Sequence, residues 1–109
     1  MTFGGMRSMW IIAMFDLPTD TKKARKAYAL FRKGLLKDGF TMMQYSVYVR
    51  HCASDENADV HCERVRSILP DEGEVRVLMF TDKQFGRMKV YLGNKRQPTP
   101  MAPAQIELF

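Results

Sequence analysis

The chain has 109 residues, 46% hydrophobic and 27% charged, an ordinary composition that favours one domain with a modest core. Its apolar runs fall well short of the roughly 18 residues of a membrane span, so no membrane-spanning helix is expected. The apolar stretch after Arg7 ends in Asp16, and no signal cleavage site follows it. A cytoplasmic protein with reduced cysteines and no membrane partner is therefore expected.

The formal net charge of +5 is distributed unevenly along the chain. Residues 20–38 carry seven basic and two acidic side chains, residues 55–74 carry seven acidic and two basic, and residues 82–96 carry five basic and one acidic. Basic faces favour phosphate backbones as ligands. Because charge runs are also typical of solvated helix faces, the pattern alone leaves nucleic-acid binding open.

The N-terminal third predicts a buried strand followed by a basic helix. Met9–Phe15 is continuously apolar and short, as strands covered on both faces are. Thr19 or Asp20 is expected to cap the helix, and Gly39 to follow its last turn. The helix has an apolar stripe formed by Ala24, Ala27, Tyr28, Phe31 and Leu35.

The stretch Phe40–His51, FTMMQYSVYVRH, is rich in β-branched and aromatic residues and predicts a strand. Its twelve residues exceed the usual strand length, so it is either one strand or two strands separated by a bend. Simple alternation gives an apolar face of Met43, Tyr45, Val47 and Val49 and a polar face of Gln44, Ser46, Tyr48 and Arg50.

The next segment predicts a second helix, capped by Ser54 and stopped by Pro70. Glu74–Thr81 is the following strand, DKQFG is expected to be a turn, and RMKVYLG alternates as a further strand. The apolar stripe of the second helix is Ala58, Cys62, Val65, Ile68 and Leu69.

The element order is β-α-β-β-α-β if the twelve-residue run is split and β-α-β-α-β-β if it is not. Either order favours an α+β sandwich with both helices on one face of a single sheet. The other face, expected to include Gln44 and Tyr48, is predicted to pack on a second copy. We assign residues 1–93 to this domain. Residues 94–109, with three prolines, form an extended tail ending in a short docking strand of Ile106, Leu108 and Phe109.

Motifs for zinc, nucleotide or base-stacking chemistry are weak. His51, Cys52, His61 and Cys62 are of ligand type, but adjacent His-Cys pairs point apart and no Cys-x-x-Cys occurs. The glycines form no phosphate-binding loop. An RNA-recognition-motif module has a similar topology, yet EVRVLMFT lacks the glycine-aromatic pattern that such a module needs for stacking bases.

Asp16 lies at the carboxyl end of the first strand, where ligand-binding and catalytic groups are common. It either braces the turn at Leu17 and Pro18 or binds a ligand. The bracing role is weakened because Thr19 and Asp20 are available as helix caps. One carboxylate holds Mg²⁺ poorly, but a two-fold dimer through the open sheet face would bring two copies of Asp16 together.

Three successive stretches resemble the CRISPR-associated Cas-two family, the smaller of the two widespread spacer-acquisition proteins. They are AMFDLP, the Lys/Arg-rich helix and GFTMMQYSVYVR, and FTDKQFGRMKVYLG is similar to the later strands of that family. The likeness covers most of the chain and is closest to the subgroup that accompanies single-protein effector nucleases. Met42 and Met43 depart from the pattern, because many members have a basic residue shortly before the glutamine.

The resemblance implies a ferredoxin-like βαββαβ fold with an extra C-terminal strand, a homodimer, and Asp16 as the catalytic acid that binds Mg²⁺ for phosphodiester hydrolysis. It also implies an integrase partner, for which the dimer is a bridge that grips double-stranded protospacer DNA, or RNA. The tail residues are expected to dock on the integrase or on the dimer. Nucleic acid is expected along the first helix, at Lys22, Lys23, Arg25, Lys26 and Lys33.

Functions of different classes remain open at this point. One is a Mg²⁺-dependent nuclease with paired Asp16 side chains as its metal site. Another is a purely structural DNA-binding scaffold for spacer acquisition, which the basic helix and the tail favour. A ferredoxin-like RNA-binding module is the third.

Overall fold

The computed structural model describes residues 7–97, with the backbone alone given for 95–97. The elements are β1 Met9–Asp16, α1 Lys22–Lys37, β2 Thr41–Gln44, β3 Val47–Cys52, α2 Asp55–Ser67, β4 Glu74–Thr81, α3 Asp82–Gly86, β5 Val90–Leu92 and β6 Lys95–Gln97. A four-stranded antiparallel sheet of order β2-β3-β1-β4 carries two long helices on one face, and β5 and β6 form a separate hairpin. This is the ferredoxin-like βαββαβ order with a C-terminal addition, so the split-strand alternative is confirmed.

β1 is a central strand that is buried on both faces, as its continuous apolar sequence predicts. It pairs with β3 on one side and β4 on the other. Ile11 and Phe15 point into the core beneath the helices, whereas Trp10 and Ile12 point to the opposite face. The last residue of the strand, Asp16, is exposed at the rim of the sheet.

α1 begins after Thr21, whose hydroxyl accepts a hydrogen bond from the Ala24 amide at 3.0 Å. The prediction of Thr19 or Asp20 as the cap is therefore wrong, because only the residue directly before the first helical residue brings its oxygen within reach of the free amides. Phe31 is buried as predicted. Gly39 follows the helix with a φ of 90°, the left-handed conformation that glycine adopts without strain.

The twelve-residue run divides at Ser46, whose φ of 61° turns the chain between β2 and β3. The pairing register also shifts between Met42 and Gln44. Both changes break the simple alternation, so two face assignments are wrong. Tyr48 is 1% exposed in the core beneath the helices and not on the open face, and Tyr45 is 79% exposed and not on a buried face.

α2 is capped by Ser54 as predicted, with its hydroxyl 3.0 Å from the Asn57 amide. Its buried residues include His61, which is not part of the predicted apolar stripe. Leu69, placed on that stripe, is 45% exposed because the helix ends at Ser67.

The segment after β4 differs from the expected turn and strand. DKQFG forms the short helix α3, closed by a capping box in which Thr81 and Gln84 bond each other's backbone amides. α3 stacks Phe85 on Trp10, with the ring centroids 3.9 Å apart, and so covers part of the open face. Of RMKVYLG only Val90–Leu92 is a strand, and it pairs with β6 rather than with the main sheet.

The predicted domain boundary at residue 93 falls inside this hairpin, between β5 and β6. The boundary stays a prediction. The docking residues Ile106, Leu108 and Phe109 lie outside the described residues. Across residues 7–97, none of the helices has the length and apolar character needed to cross a membrane.

Asp38 links the end of α1 to α2. Its carboxylate accepts hydrogen bonds from His61 Nδ1 at 2.8 Å and Arg64 Nη1 at 3.0 Å, and its carbonyl oxygen accepts one from Arg50 Nε at 2.8 Å. Partial burial raises the pKa of this carboxyl, but the hydrogen bonds from His61 and Arg64 together outweigh it and hold the pKa below its ordinary value.

We expect Asp38→Asn to lower the free energy of unfolding at neutral pH by about 1.5–3 kcal/mol, the range for hydrogen bonds to a charged group. Because the folded-state pKa lies below the ordinary value of 3.8, the contribution is present above that value and is lost as the pH falls through the folded pKa. Urea unfolding of wild type and variant should therefore converge toward acid.

The matched control is Asp59→Asn, an exposed carboxylate on α2, which should change stability by less than about 0.5 kcal/mol. A stability difference between wild type and Asp38→Asn that stays constant from neutral to strongly acidic pH would contradict the linkage.

Candidate functional site

Asp16 presents a free carboxylate at the rim of the sheet. Within residues 7–97 it has no side-chain hydrogen bond or ion pair, and Thr21 rather than Asp16 caps the following helix. The backbone at this point is fixed by the α2–β4 loop. Gly73 has a φ of 97°, and a Cβ there would lie 2.8 Å from the Asp16 carbonyl oxygen, so only glycine allows this approach.

A second carboxylate lies beside Asp16 in the same chain, which sequence analysis missed. Asp16 and Glu74 are directly opposite each other in the β1–β4 ladder. Both line a shallow cleft of about 200 Å³ with Met14, Phe15 and Arg76. Glu74 is ion-paired with Arg76 at 2.6 Å. Of the two carboxylates, Asp16 is therefore the one whose oxygens have no partner among residues 7–97. Like charges opposite each other cost stability, and a bound cation would relieve that cost.

The donors in this cleft fit Mg²⁺ in kind. That ion binds hard oxygen ligands and usually takes one or two carboxylates together with waters and phosphate oxygens. In the described part of the chain, no group of three or more His, Cys, Asp or Glu side chains could hold a metal ion. One protomer therefore offers Asp16 and Glu74 and leaves the other ligand positions to water, substrate or a second protomer.

α1 presents its cations to solvent without acidic partners. None of the five residues predicted to bind nucleic acid forms an ion pair with an acid of the described chain. Arg25 is oriented by a hydrogen bond from Nη1 to the Thr19 carbonyl oxygen at 3.0 Å. The fold thus leaves the charge of this helix unneutralised. The five predicted residues, all exposed, are Lys22, Lys23, Arg25, Lys26 and Lys33.

The charge in the first turn of α1 is opposite to what helix stability favours. Helix N-termini carry partial positive charge and are stabilised by acids, and helix C-termini by bases. α2 follows this rule, with acids in its first turn and arginines in its last. α1 instead begins with Lys22 and Lys23 and has no acid in its first turn. The N-terminal end of α1 therefore attracts anions such as phosphate.

Three of the four residues of zinc-ligand type have surroundings that do not favour a metal site. His61 Nδ1 is hydrogen-bonded to Asp38, and Cys52 is buried in the core beneath the helices. Burial raises the pKa of both Cys52 and Cys62, so neither thiol is activated as a thiolate.

Comparison with known proteins decides the family. The family model of CRISPR associated protein Cas2 matches residues 9–88, which run from the start of β1 to beyond α3. The chain belongs to the CRISPR-associated Cas2 family. The predicted resemblance is confirmed, and the protein is a component of a CRISPR system. The matched range contains Asp16, Glu74 and all of α1.

Individual relatives align over nearly their whole length. The chain is 70% identical over 101 residues to the CRISPR-associated endoribonuclease Cas2 of Parvibaculum lavamentivorans, an alignment covering 93% of this chain and 100% of the relative. It is 52% identical over 103 residues to that of Flavobacterium psychrophilum, covering 94% and 90%. For the Paracidovorax avenae protein of the same name, the values are 48% over 105 residues, covering 96% and 97%.

Proposed function

We propose that this protein is a homodimeric subunit of the CRISPR spacer-acquisition machinery that grips double-stranded protospacer DNA and bridges integrase subunits. The observation that carries the proposal is the unneutralised positive charge of α1. Lys22, Lys26 and Lys33 recur on one side of the helix over roughly 16 Å, a length that meets several phosphates.

The chemistry of this stripe favours contact with the DNA backbone over base reading. Lysine is a compact point charge on a flexible stem, whereas base edges are read chiefly by bidentate groups such as arginine, asparagine and glutamine. A lysine stripe binds without selecting sequence. That property suits a protein that must accept foreign DNA of any sequence.

A homodimer is supported by apolar surface that one protomer leaves open. β4 is an edge strand, and Val77, Leu78 and Met79 in its middle are 37–46% exposed. Edge strands of this length are normally charged or covered. Leu78 pairs with Ile12 and faces the open side of the sheet, whereas Val77 and Met79 face the helix side. On the open side an apolar depression of about 280 Å³ is lined partly by Ile12 and Phe80. A second copy packed on this side would bury Leu78 and the depression and bring a second Asp16 near the first.

We expect Leu78→Glu to convert the dimer into a monomer, because burying an unpaired carboxylate in an apolar interface is costly. Sedimentation equilibrium at micromolar concentration measures this directly. The matched control is Val60→Glu on α2, where exposure is 47% against 46% for Leu78, and it should stay dimeric. Since bridging needs two protomers, Leu78→Glu should also fail to support integration by the partner integrase. A wild-type monomer would contradict both the dimer and a metal site shared across it.

A second function, Mg²⁺-dependent phosphodiester hydrolysis, is favoured by the free carboxylate of Asp16 and by relatives that bear the name endoribonuclease. Asp16, with Glu74 or with the Asp16 of a second protomer, would hold the ion. When bound, Mg²⁺ supplies charge neutralisation at the phosphate and an activated water. Asp16 contributes an accessible oxygen ligand at the end of β1, and α1 contributes positive charge that attracts the RNA or DNA backbone.

The contact with the integrase is proposed from the sequence alone, because the tail residues expected to form it lie outside residues 7–97. Ile106, Leu108 and Phe109 alternate with polar neighbours, a pattern that suits strand addition to the edge of a partner sheet. The prolines before them favour an extended chain that reaches away from the domain.

A further inference from the structure

A large aromatic side chain stands in solvent at the β2–β3 turn. Tyr45 is 79% exposed, more than any other large apolar side chain of the described residues. It follows Gln44, the last residue of β2, at the end of the sheet where β1 also ends. Tyrosine is enriched at contact sites, because its ring offers a large apolar surface and its hydroxyl a polar group.

The turn that presents Tyr45 is held in place on both sides. Ser46 has a φ of 61°, a conformation that non-glycine residues rarely adopt and that clusters at functional sites. The Ser46 carbonyl oxygen accepts a hydrogen bond from the Phe15 amide at 3.1 Å. The Ser46 hydroxyl lies 3.0 Å from the Tyr28 hydroxyl. Tyr45 is therefore fixed close to Phe15, the residue before Asp16.

The ring of Tyr45 is ordered by stacking on the protein. Its centroid lies 6.3 Å from that of Tyr28, with 24° between the ring planes. Tyr28 in turn contacts Phe15 edge to face at 5.8 Å, and Phe15 stacks on the buried Tyr48 at 5.6 Å. This aromatic series runs from the core to the surface and leaves one face of Tyr45 open.

Two arginines flank Tyr28, the residue on which Tyr45 stacks. Arg25 and Arg32 lie one turn before and one turn after Tyr28 on α1, and both are exposed. Neither forms an ion pair with an acid of the described chain. The surface thus combines an open aromatic face with free positive charge, at the end of the sheet where β1 ends.

We propose that Tyr45 is a stacking platform for an unpaired nucleobase, with Arg25 and Arg32 contacting the adjacent phosphates of a single strand. The inference rests on the proposed nucleic-acid function and adds a ligand class to it, a single-stranded segment rather than blunt duplex. Every base has a π-face, so stacking on an aromatic ring tolerates sequence.

The test is fluorescence anisotropy with a labelled oligothymidylate, a labelled oligouridylate and a blunt DNA duplex. Stacking on one aromatic residue corresponds to a roughly 5- to 150-fold change in affinity. We expect Tyr45→Ala to lose affinity for single strands in that range while Tyr45→Phe keeps it. Blunt-duplex affinity should change less than about twofold. Tyr91→Ala, which removes another exposed tyrosine at 59% exposure, is the matched control and should bind single strands normally.

A second measurement reports stacking itself. A single strand containing 2-aminopurine should be quenched on binding wild type and Tyr45→Phe, but not on binding Tyr45→Leu, which keeps apolar bulk without a π-face. Unchanged single-strand affinity in Tyr45→Ala, or equal losses for single strand and duplex, would overturn the proposal. If the wild type does not bind duplex, the proposed DNA gripping by α1 is wrong. The stacking proposal is still tested in that case, because quenching of a bound single strand by Tyr45 is measured without duplex.

Discussion

Asp16→Ala should abolish Mg²⁺-dependent cleavage of nucleic acid, with a loss of more than about a hundredfold. Removing an outer-shell partner of a metal site costs about 10- to 100-fold, and this variant removes a ligand itself. The fold should survive, because the carboxylate is exposed and has no hydrogen bond or ion pair within residues 7–97. Single-turnover cleavage of labelled RNA and DNA, with melting temperature measured alongside, checks both expectations.

Two further variants separate the catalytic role from general effects on this loop. Asp20→Ala removes another exposed acid between β1 and α1 and should cleave like wild type. Asp16→Asn keeps the side-chain shape while removing the charge that a cation requires, so it should be as inactive as Asp16→Ala. Cleavage that persists in a purified Asp16 variant would mean that this residue is not catalytic or that the activity belongs to a contaminant.

Reversing the charge of Lys26 and Lys33 together should weaken binding to duplex DNA and flatten its salt dependence. Each phosphate contact contributes roughly −0.9 to the slope of log affinity against log salt. Loss of both contacts in both protomers of a dimer would reduce the magnitude of that slope by as much as about 3.6. Anisotropy titrations with a blunt duplex at several salt concentrations measure the slope directly.

Arg66→Glu is the control for the change in net charge. Arg66 lies on α2 and is already ion-paired with Glu63 at 2.8 Å, so its reversal should leave the slope close to that of wild type. Lys26→Glu alone reverses one charge, as Arg66→Glu does, and is the direct comparison. It should reduce the magnitude of the salt slope by about 0.9 per protomer. An unchanged slope in the double variant would mean that the DNA does not bind along α1, and the basic residues of 83–96 would be the next candidate.

The parts of the fold that could be predicted carry their own local signals. Met9–Phe15 is continuously apolar, α1 has a helical stripe, and Ser54 is a capping residue directly before α2. α3 was missed although its signal is present, since Thr81 and Gln84 have the spacing of a capping box. Ser46 carried no such signal, because left-handed turns are usually marked by glycine or asparagine.

The candidate site was predictable only where one segment defines it. Asp16 could be singled out because it ends an apolar strand. Glu74 could not, since its place opposite Asp16 depends on the register of β1 with β4, which tertiary packing sets. Tyr45 was assigned to a buried face by alternation, and only the turn at Ser46 and the register shift in β2 put it in solvent.

Integration of a labelled protospacer into a CRISPR array by the partner integrase, with hydrolysis assayed in parallel, tests the proposed function most directly. Wild type, Asp16→Ala and the Lys26→Glu, Lys33→Glu double variant would be compared at equal concentration. We expect Asp16→Ala to support integration at the wild-type rate without hydrolysis, and the double variant to fail in integration because it no longer holds the DNA. Full integration by the charge-reversed protein, with loss of integration in Asp16→Ala, would contradict a DNA-gripping scaffold built on α1.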